Sequence, residues 1–228
     1  MEINKAFILC AGFGKRVLPL TETIPKPLLK INEISLIEYS IRILKQIGIK
    51  KIAVNVHHLK HKIKEYLHHK HPNILIFDEE IILDTGGALV NAKKFLSDKY
   101  FVVLNSDTIW QKNYIPFMKN LIKKTLDNKF LAGLLLARKE KSFDKTLPLD
   151  FSVKNNYLTS KKEFIYTGFQ IMNSSLLLNR KIESFSVKKI WDELVDTKKV
   201  TGEIFEGNFY HTTDIDIYKK LLKSNITF

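Results

Sequence analysis

The chain of 228 residues contains a single cysteine, Cys10, and this scarcity excludes two kinds of stabilisation. An internal disulfide needs two cysteines, and a cysteine-based metal cluster needs several. Cys10 ends an apolar run, where a small buried side chain fits well. We therefore expect Cys10 to pack in the core rather than to act as a reactive thiol.

Long apolar segments are also absent. No run approaches 20 apolar residues, so no membrane-spanning helix is predicted. The N-terminal stretch lacks a signal-peptide cleavage pattern and leads directly into a glycine-containing turn, which indicates a cytoplasmic protein without a membrane partner. Hydrophobic residues make up 45% of the chain and no low-complexity tract or repeat occurs, as is typical of a globular fold throughout.

Acidic residues are outnumbered, with 24 Asp and Glu against 37 Lys and Arg, and the formal net charge is +13. Such a charge favours polyanions in general, including nucleic acids, phospholipid surfaces and nucleoside triphosphates. The lysines are scattered, and no basic stripe interleaved with aromatic residues accompanies them. We therefore predict no nucleic-acid partner and interpret most of the charge as solvated surface.

Hydrophobic periodicity alternates between strand and helix through the first half of the chain. Strands are predicted at 5–10, 51–56, 74–77 and 101–104, and helices at 35–47, 58–69 and 87–96. After residue 107 the pattern loosens, and it predicts helices at 114–126 and 214–222 and strands at 130–136 and 164–172. The alternation predicts an α/β fold with a mainly parallel sheet and helices on both faces.

A turn containing Gly12 and Gly14 follows the first predicted strand, where backbone N–H groups can approach a polyphosphate closely. Arg16 follows, and Lys26 lies between two prolines that stiffen its loop. The planar fork of Arg16 suits the β- and γ-phosphates, and Lys26 suits the α-phosphate as a point charge. Two cations at one strand end favour phosphoryl or nucleotidyl transfer.

Other nucleotide-binding and catalytic patterns do not match. No Gly-Lys-Ser/Thr follows the glycines, which excludes a Walker loop, and the third glycine of a dinucleotide fingerprint is missing. A covalent hydrolase is not predicted, because Cys10 lies in the first strand and no serine occupies a nucleophile elbow. An ordinary turn with two surface cations remains open as the alternative.

A longer pattern resembles the signature of the sugar-1-phosphate nucleotidyltransferases. It reads Leu9-Cys10-Ala11-Gly12-x-Gly14-x-Arg16-x-x-Pro19-x-Thr21 and then Pro25-Lys26-Pro27-Leu28. The similarity extends over the chain through residues 37–39, 55–57, 84–88, 105–107 and 166–169. The short length and the stretches 84–88 and 200–203 are most similar to the uridylyltransferases that act on N-acetylmuramate 1-phosphate.

This resemblance implies a Rossmann-like nucleotidyltransferase fold with a small acceptor-binding lobe. Residues 1–228 would form one domain, with 1–110 as its nucleotide-binding half and 111–228 as its sugar-phosphate-binding half. The implied reaction joins a nucleoside triphosphate, UTP foremost, to a sugar 1-phosphate such as N-acetylmuramic acid 1-phosphate and releases pyrophosphate. Nucleotide-sugar biosynthesis and cell wall recycling are the implied roles.

Three alternatives to this reaction stay open. Two are enzymes with similar early motifs, a guanylyltransferase for mannose or heptose 1-phosphate and a cytidylyltransferase for phosphocholine. The third is a nucleotide-binding protein with weakened catalysis. The sequence gives no prediction of the oligomeric state.

The resemblance also implies roles for particular residues. The catalytic residues would be Arg16, Lys26 and Asp107. The nucleotide would be contacted by Ala11, Gly12, Gly14, Thr85, Gly86 and Asn105. The sugar phosphate would be contacted by Thr167, Gly168 and Glu203, with Lys161 and Lys162 as weaker candidates.

Mg²⁺ is the implied cofactor, with Asp107 and His211 as its ligands. Asp107 follows a predicted strand end, where a carboxylate is a suitable hard-oxygen ligand. His211 stands where the family has a second metal carboxylate, and Thr213 stands where it has glycine. Imidazole suits softer divalent ions, so we expect a preference shifted toward Mn²⁺ or Co²⁺, unless Asp214 or Asp216 compensates.

Six of the seven histidines lie between positions 57 and 71. His57 and His61 are spaced to share one helix face, so a zinc site is conceivable. No acidic or cysteine partner completes a ligand set there, and a polar helix face gives the same pattern. We favour the solvated face.

Overall fold

The computed structural model describes residues 3–224 and 226. The strands, in chain order, are β1 (Lys5–Leu9), β2 (Lys30–Ile31), β3 (Ile34–Ser35), β4 (Lys51–Val56), β5 (Leu75–Asp78), β6 (Tyr100–Asn105), β7 (Ala132–Ala137), β8 (Phe151–Lys154), β9 (Tyr157–Asn173) and β10 (Val200–Phe205). The helices are α1 (Leu36–Gln46), α2 (Lys60–Lys70), α3 (Asp84–Asn91), α4 (Ile115–Asp127), α5 (Ser175–Leu178), α6 (Lys188–Asp196) and α7 (Ile215–Leu222). Across the described residues, no helix combines the length and apolarity needed to cross a bilayer.

The main sheet has the order β10-β7-β9-β6-β1-β4-β5, and β8 pairs with β9 beyond this path. β1 is parallel to β4 and β6, β4 is parallel to β5, and β7 is parallel to β10. Only β9 runs against its neighbours β6, β7 and β8. The predicted mainly parallel α/β sheet is confirmed, with one long antiparallel strand, β9, inserted between β7 and β6.

Side chains that alternate along each central strand pack against helices on opposite faces of the sheet. On β6, Val102 and Leu104 join a core cluster that includes residues of α1, α4 and α7. Phe101 and Val103 join a second cluster with residues of α3 and α6. Strands buried on both faces appear as continuous apolar runs, which is why the sequence pattern located them. Helices on both faces, as predicted, are confirmed.

The second half of the chain extends the same sheet, to which it contributes β7, β9 and β10. The sequence pattern predicted only residues 164–172 of the 17-residue strand β9, and it missed β8, β10 and α6. The first part of β9 is polar and pairs with β8 alone, so it carries no apolar signal. The predicted helix 87–96 was wrong in its bounds, because α3 begins at Asp84 and ends at Asn91.

The prediction that Cys10 packs in the core is confirmed, since its residue is 2% exposed. Its backbone N–H donates a hydrogen bond of 2.8 Å to Asn55 Oδ1, which ties the end of β1 to β4. Burial raises the pKa of the Cys10 thiol to about 12. The thiol is therefore protonated, and a poor nucleophile, at neutral pH.

We expect a thiol-reactive disulfide reagent to leave the native protein unlabelled at pH 8. The same reagent should label one thiol per chain within minutes in denaturant, where burial no longer raises the pKa of Cys10. Absorbance of the released chromophore measures both rates. Rapid labelling of the native protein would contradict the buried position.

Candidate active site

A cavity of about 320 Å³ opens at the carboxyl ends of β1, β4 and β6. In open α/β sheets, ligands bind outside this edge, where parallel strands place their last residues side by side. Leu9 at the end of β1 pairs in register with Asn105 at the end of β6. Eight predicted site residues line the cavity: Ala11, Gly12, Gly14, Arg16, Lys26, Thr85, Asn105 and Asp107.

The two glycines of the loop after β1 are required for different reasons. A Cβ added at Gly12 would have no heavy atom within 4 Å, so this exposed residue borders open space on the cavity side. Gly14 has a φ of +67°, and a Cβ there would lie 2.8 Å from Thr21 Cγ2. The Thr21 hydroxyl donates a hydrogen bond of 3.0 Å to the Gly14 carbonyl. Gly14 therefore serves the loop conformation, and Gly12 leaves room for a ligand.

Histidines 57 and 58 support this loop rather than forming only a solvated face. The Phe13 ring, at the tip of the loop, lies 5.4 Å from the His57 ring and 5.7 Å from the His58 ring. His58 Nε2 also lies within hydrogen-bond distance of the Thr21 carbonyl oxygen, at 2.8 Å. Elsewhere in the histidine-rich segment, His71 Nε2 lies 2.7 Å from Glu38 Oε2. The solvated-face interpretation was therefore wrong for these three histidines, which make specific contacts.

An ion pair joins two of the three predicted catalytic residues, Lys26 and Asp107, which are 81 positions apart in the chain. Lys26 Nζ donates to Asp107 Oδ2 at 2.7 Å, and their side chains are 12% and 20% exposed. Burial acts to raise the pKa of Asp107, but the charges of His211 and Lys26 and their hydrogen bonds hold it well below its usual range. Asp107 is therefore a carboxylate at neutral pH.

The structure also brings together the two predicted metal ligands. His211 Nε2 lies 3.2 Å from Asp107 Oδ1, a buried oxygen that has no hydrogen bond of standard geometry within the described part of the chain. The Thr212 N–H donates to the Asp107 carbonyl at 2.8 Å, which aligns the two segments. Asp214 caps α7 by accepting from the Ile217 N–H at 2.9 Å. The expected compensation by Asp214 is not supported.

The exposed Asp216, on α7, does not line the cavity either. Five other predicted residues also lie outside the cavity lining, namely Gly86, Thr167, Gly168, Glu203 and His211. Gly86 belongs to the first turn of α3, where its N–H donates to the Phe185 carbonyl at 2.8 Å and a Cβ would lie 2.3 Å from that ring. Glu203, on β10, accepts from Asn120 Nδ2 at 2.6 Å and so points to α4. Gly86 allows α3 to pack closely against the Phe185 ring. The structure does not bring Glu203 to the site.

Thr167 and Gly168 lie next to Thr108 and Asn105, outside the cavity lining. Gly168 has a φ of +95°, and a Cβ there would lie 2.9 Å from Asn105 Cβ. The Thr167 carbonyl accepts a hydrogen bond of 2.7 Å from the Thr108 hydroxyl. These two residues therefore pack against the end of β6, and their contact with a sugar phosphate stays a prediction. The weaker candidate Lys161 pairs with Glu163 on the exposed part of β9.

A buried polar network that sequence reasoning missed forms one wall of the cavity. Glu79, which is 2% exposed, accepts hydrogen bonds from Asn55 Nδ2 at 2.8 Å and from the Leu83 N–H at 3.0 Å. Asn55 in turn accepts from the Cys10 N–H. The network connects the ends of β1, β4 and β5 to the start of α3. In the sequence, the network is marked by two polar residues near strand ends: Asn55 at the end of β4 and Glu79 directly after β5.

Comparison with known proteins agrees with this arrangement. A sequence profile of the nucleotidyl transferase family matches residues 5–143. The chain belongs to the nucleotidyl transferase family. It is an enzyme that transfers nucleotidyl groups to sugar 1-phosphates or similar acceptors.

Two relatives match this nucleotidyltransferase over nearly their whole length. The N-acetylmuramate alpha-1-phosphate uridylyltransferase of Caulobacter vibrioides is 26% identical, over 92% of this chain and 91% of its own. The choline-phosphate cytidylyltransferase of Streptococcus pneumoniae is 30% identical, over 95% of this chain and 96% of its own.

Among solved structures, the UDP-glucose pyrophosphorylase from Acinetobacter baumanii superimposes with a TM-score of 0.77 at 18% identity, over 97% of this chain and 92% of its own. This likeness supports the predicted Rossmann-like nucleotidyltransferase fold.

Replacement of Gly12 by alanine tests the role of the open space in this nucleotidyltransferase. We expect Gly12→Ala to keep the wild-type melting temperature, because the new methyl group meets no atom. We expect nucleotide binding to weaken by about tenfold or more, since the methyl group occupies space that a phosphate needs. Calorimetric titration with a nonhydrolysable triphosphate measures the affinity.

Gly87→Ala is the matched comparison for this variant. A Cβ at Gly87 would lie 2.1 Å from the Glu183 carbonyl oxygen, so we expect this variant to melt at a lower temperature. Unchanged nucleotide affinity in a folded Gly12→Ala protein would show that the phosphates lie elsewhere.

Proposed function

We propose that this nucleotidyltransferase transfers a uridylyl group from UTP to a sugar 1-phosphate, with N-acetylmuramic acid 1-phosphate as the first candidate, and releases pyrophosphate. The observation that carries the proposal is the Lys26–Asp107 ion pair, which lines the same cavity as the Gly12 loop. The similarity to the Caulobacter enzyme over nearly the full length supports the choice of substrates.

The loop after β1 and Arg16 form the binding site for the triphosphate. Gly12 borders open space, so backbone N–H groups of the loop can approach phosphate oxygens. Arg16 is exposed, and it makes no hydrogen bond or ion pair with the residues that the structure describes. Its guanidinium is therefore available to take the β- and γ-phosphates in a bidentate manner.

The reaction requires stabilisation of charge on the α-phosphate. An oxygen of the acceptor phosphate attacks the α-phosphorus, a new P–O bond forms, and the bond to the bridging oxygen breaks as pyrophosphate leaves. Asp107 holds the Lys26 ammonium at the cavity by a 2.7 Å contact, so this cation is positioned before the substrates arrive. A fixed cation that meets developing charge lowers the barrier without reorganisation.

Asp107 and His211 would hold a divalent cation, because the buried Oδ1 and the imidazole Nε2 lie 3.2 Å apart and, among the described residues, no hydrogen bond of standard geometry reaches Oδ1. A bound divalent cation neutralises charge on the phosphate oxygens. In the part of the chain that the structure describes, no three His, Cys, Asp or Glu side chains gather to hold a metal. We infer that phosphate oxygens complete the coordination of Mg²⁺ or Mn²⁺.

Tyr166 is a candidate contact for the acceptor. Its hydroxyl is buried, and none of the described residues forms a hydrogen bond with it. Burial, together with the charges of Asp150 and Asp107, raises the pKa of Tyr166 well above its usual value. The phenol therefore stays protonated and can donate a hydrogen bond to an acceptor oxygen.

A second candidate function is cytidylyl transfer to phosphocholine. The observation that favours it is the 30% identity to the Streptococcus pneumoniae cytidylyltransferase, over 96% of that enzyme. Phosphocholine and a sugar 1-phosphate both present a phosphomonoester, so one catalytic arrangement serves both acceptors. The base and the acceptor therefore have to be tested together.

Pyrophosphate release should be measured with UTP, CTP, GTP and ATP, each against N-acetylmuramic acid 1-phosphate, other sugar 1-phosphates and phosphocholine. We expect turnover with UTP and a sugar 1-phosphate. Turnover only with CTP and phosphocholine would establish the second candidate. If no combination with Mg²⁺ or Mn²⁺ gave turnover while nucleotide still bound, the chain would be a binding protein with weakened catalysis.

Lys26→Ala tests the assignment of the positioned cation. We expect kcat to fall by about 10²- to 10³-fold, as for the loss of one preorganised donor in a water-poor site. Lys30→Ala is the matched control, because the side chain of this nearby lysine is 61% exposed and its one ion pair with a described residue is with Glu33, at 3.7 Å. Near-normal turnover of the Lys26→Ala enzyme would exclude the assigned role.

A further inference from the structure

Lys15 is a further cation at the edge of the cavity. It lies in the loop after β1, between Gly14 and Arg16, and lines the cavity. The residue is exposed, and among the described residues its ammonium forms no hydrogen bond or ion pair. Its contact is with an aromatic ring, since Nζ lies 5.4 Å from the centroid of Phe13. The protein therefore leaves this positive charge unneutralised beside the cavity.

The Phe13 ring stands at the tip of the loop and is held there by two imidazoles. Phe13 is 39% exposed, so burial alone does not fix its position. The His57 ring meets it edge to face, with 5.4 Å between centroids and 89° between ring planes, and the His58 ring lies at 5.7 Å. Edge-to-face contacts are favoured because the positive edge of one ring meets the negative face of the other. Specific ring contacts therefore hold Phe13 in place.

Both imidazoles are anchored to the backbone. His57 Nδ1 lies 2.8 Å from the Glu79 carbonyl oxygen, and His58 Nε2 lies 2.8 Å from the Thr21 carbonyl oxygen. A carbonyl oxygen only accepts, so each of these ring nitrogens is the donor. The two histidines directly follow β4. The position of the aromatic ring is thus set from the end of β4 and from the two segments to which these carbonyls belong.

An aromatic face confines an ammonium without neutralising it. The attraction between a cation and a ring face is weak at an exposed site, but it limits the positions that a flexible lysine side chain takes. A side chain that is already confined loses less conformational freedom when it binds a ligand. A triphosphate carries more negative charge than Arg16 and Lys26 neutralise, so a third cation at the same edge would strengthen its binding.

We propose that Lys15 is a third phosphate-binding cation of this site, and that Phe13 is the positioning residue that holds the Lys15 ammonium at the cavity. The contacts of Phe13 with His57 and His58 keep the ring in the place where the ammonium needs it. The inference rests on the proposed binding of a triphosphate and is independent of the choice of base or acceptor.

The test is calorimetric titration of the purified full chain with two probes, a nonhydrolysable UTP analogue and inorganic tripolyphosphate, which has no base. We expect Lys15→Ala to weaken the binding of both by about tenfold or more, as for the loss of a hydrogen bond from a charged group. Lys15→Arg keeps the charge and should bind nearly as the wild type does. Lys30→Ala is the matched control, because it removes the same charge from an exposed lysine outside the cavity lining and should leave both affinities unchanged.

Phe13→Leu tests the positioning role. We expect it to weaken the binding of both probes by about two- to fivefold, which corresponds to the loss of one exposed cation–π contact. In the Lys15→Ala background the same substitution should have no further effect, because Phe13 acts through Lys15. The KM of the acceptor and kcat at saturating triphosphate should keep their wild-type values. A merely structural role of Phe13 would instead weaken binding equally in both backgrounds, and thermal melting establishes that each variant is folded.

Wild-type affinity of Lys15→Ala for tripolyphosphate would overturn the proposal, as would a wild-type protein that does not bind this probe. Equal effects of Phe13→Leu with and without Lys15 would overturn the positioning role. The failure of the proposed function looks different. In that case both probes would respond to Lys15→Ala as expected, and no combination of UTP and a sugar 1-phosphate would release pyrophosphate.

Discussion

The ion pair between Lys26 and Asp107 is the interaction on which the site depends. It joins residues 81 positions apart and holds an ammonium and a carboxylate 2.7 Å from each other at the carboxyl edge of the sheet. Neither charge would be stable alone in this half-buried position, because desolvation of an unpaired ion is costly. The pair therefore fixes the Lys26 ammonium at the cavity, while Asp107 Oδ1 lies 3.2 Å from His211 Nε2.

The sheet provides the rigid frame for this pair. Lys26 lies in a loop that follows β1, and Asp107 lies two residues after the end of β6, which pairs in parallel with β1. The network of Cys10, Asn55 and Glu79 ties the neighbouring strand ends to the start of α3. Polar groups buried in this way are stable only when they are hydrogen-bonded, so the same bonds that satisfy them also shape the cavity.

Much of the fold could be predicted because its central strands carry local signals. β1, β4 and β6 are continuous apolar runs, and the helices between them repeat apolar residues at helical spacing. The polar start of β9 and the edge strand β10 lack such a signal. Their strand geometry comes from pairing with β8 and β7, which are partners that no local pattern identifies.

The sequence by itself located residues that line the cavity, namely the glycine loop, Arg16, Lys26 and Asp107, because short motifs and strand ends set where backbone groups and charges lie at the edge of the sheet. Only the tertiary structure decided that Glu203 turns to α4 and that Asn55 and Glu79 meet in the wall of the cavity. The physical reason is that these contacts join elements far apart in the chain. Strand register and loop packing, rather than local spacing, choose which side chains meet.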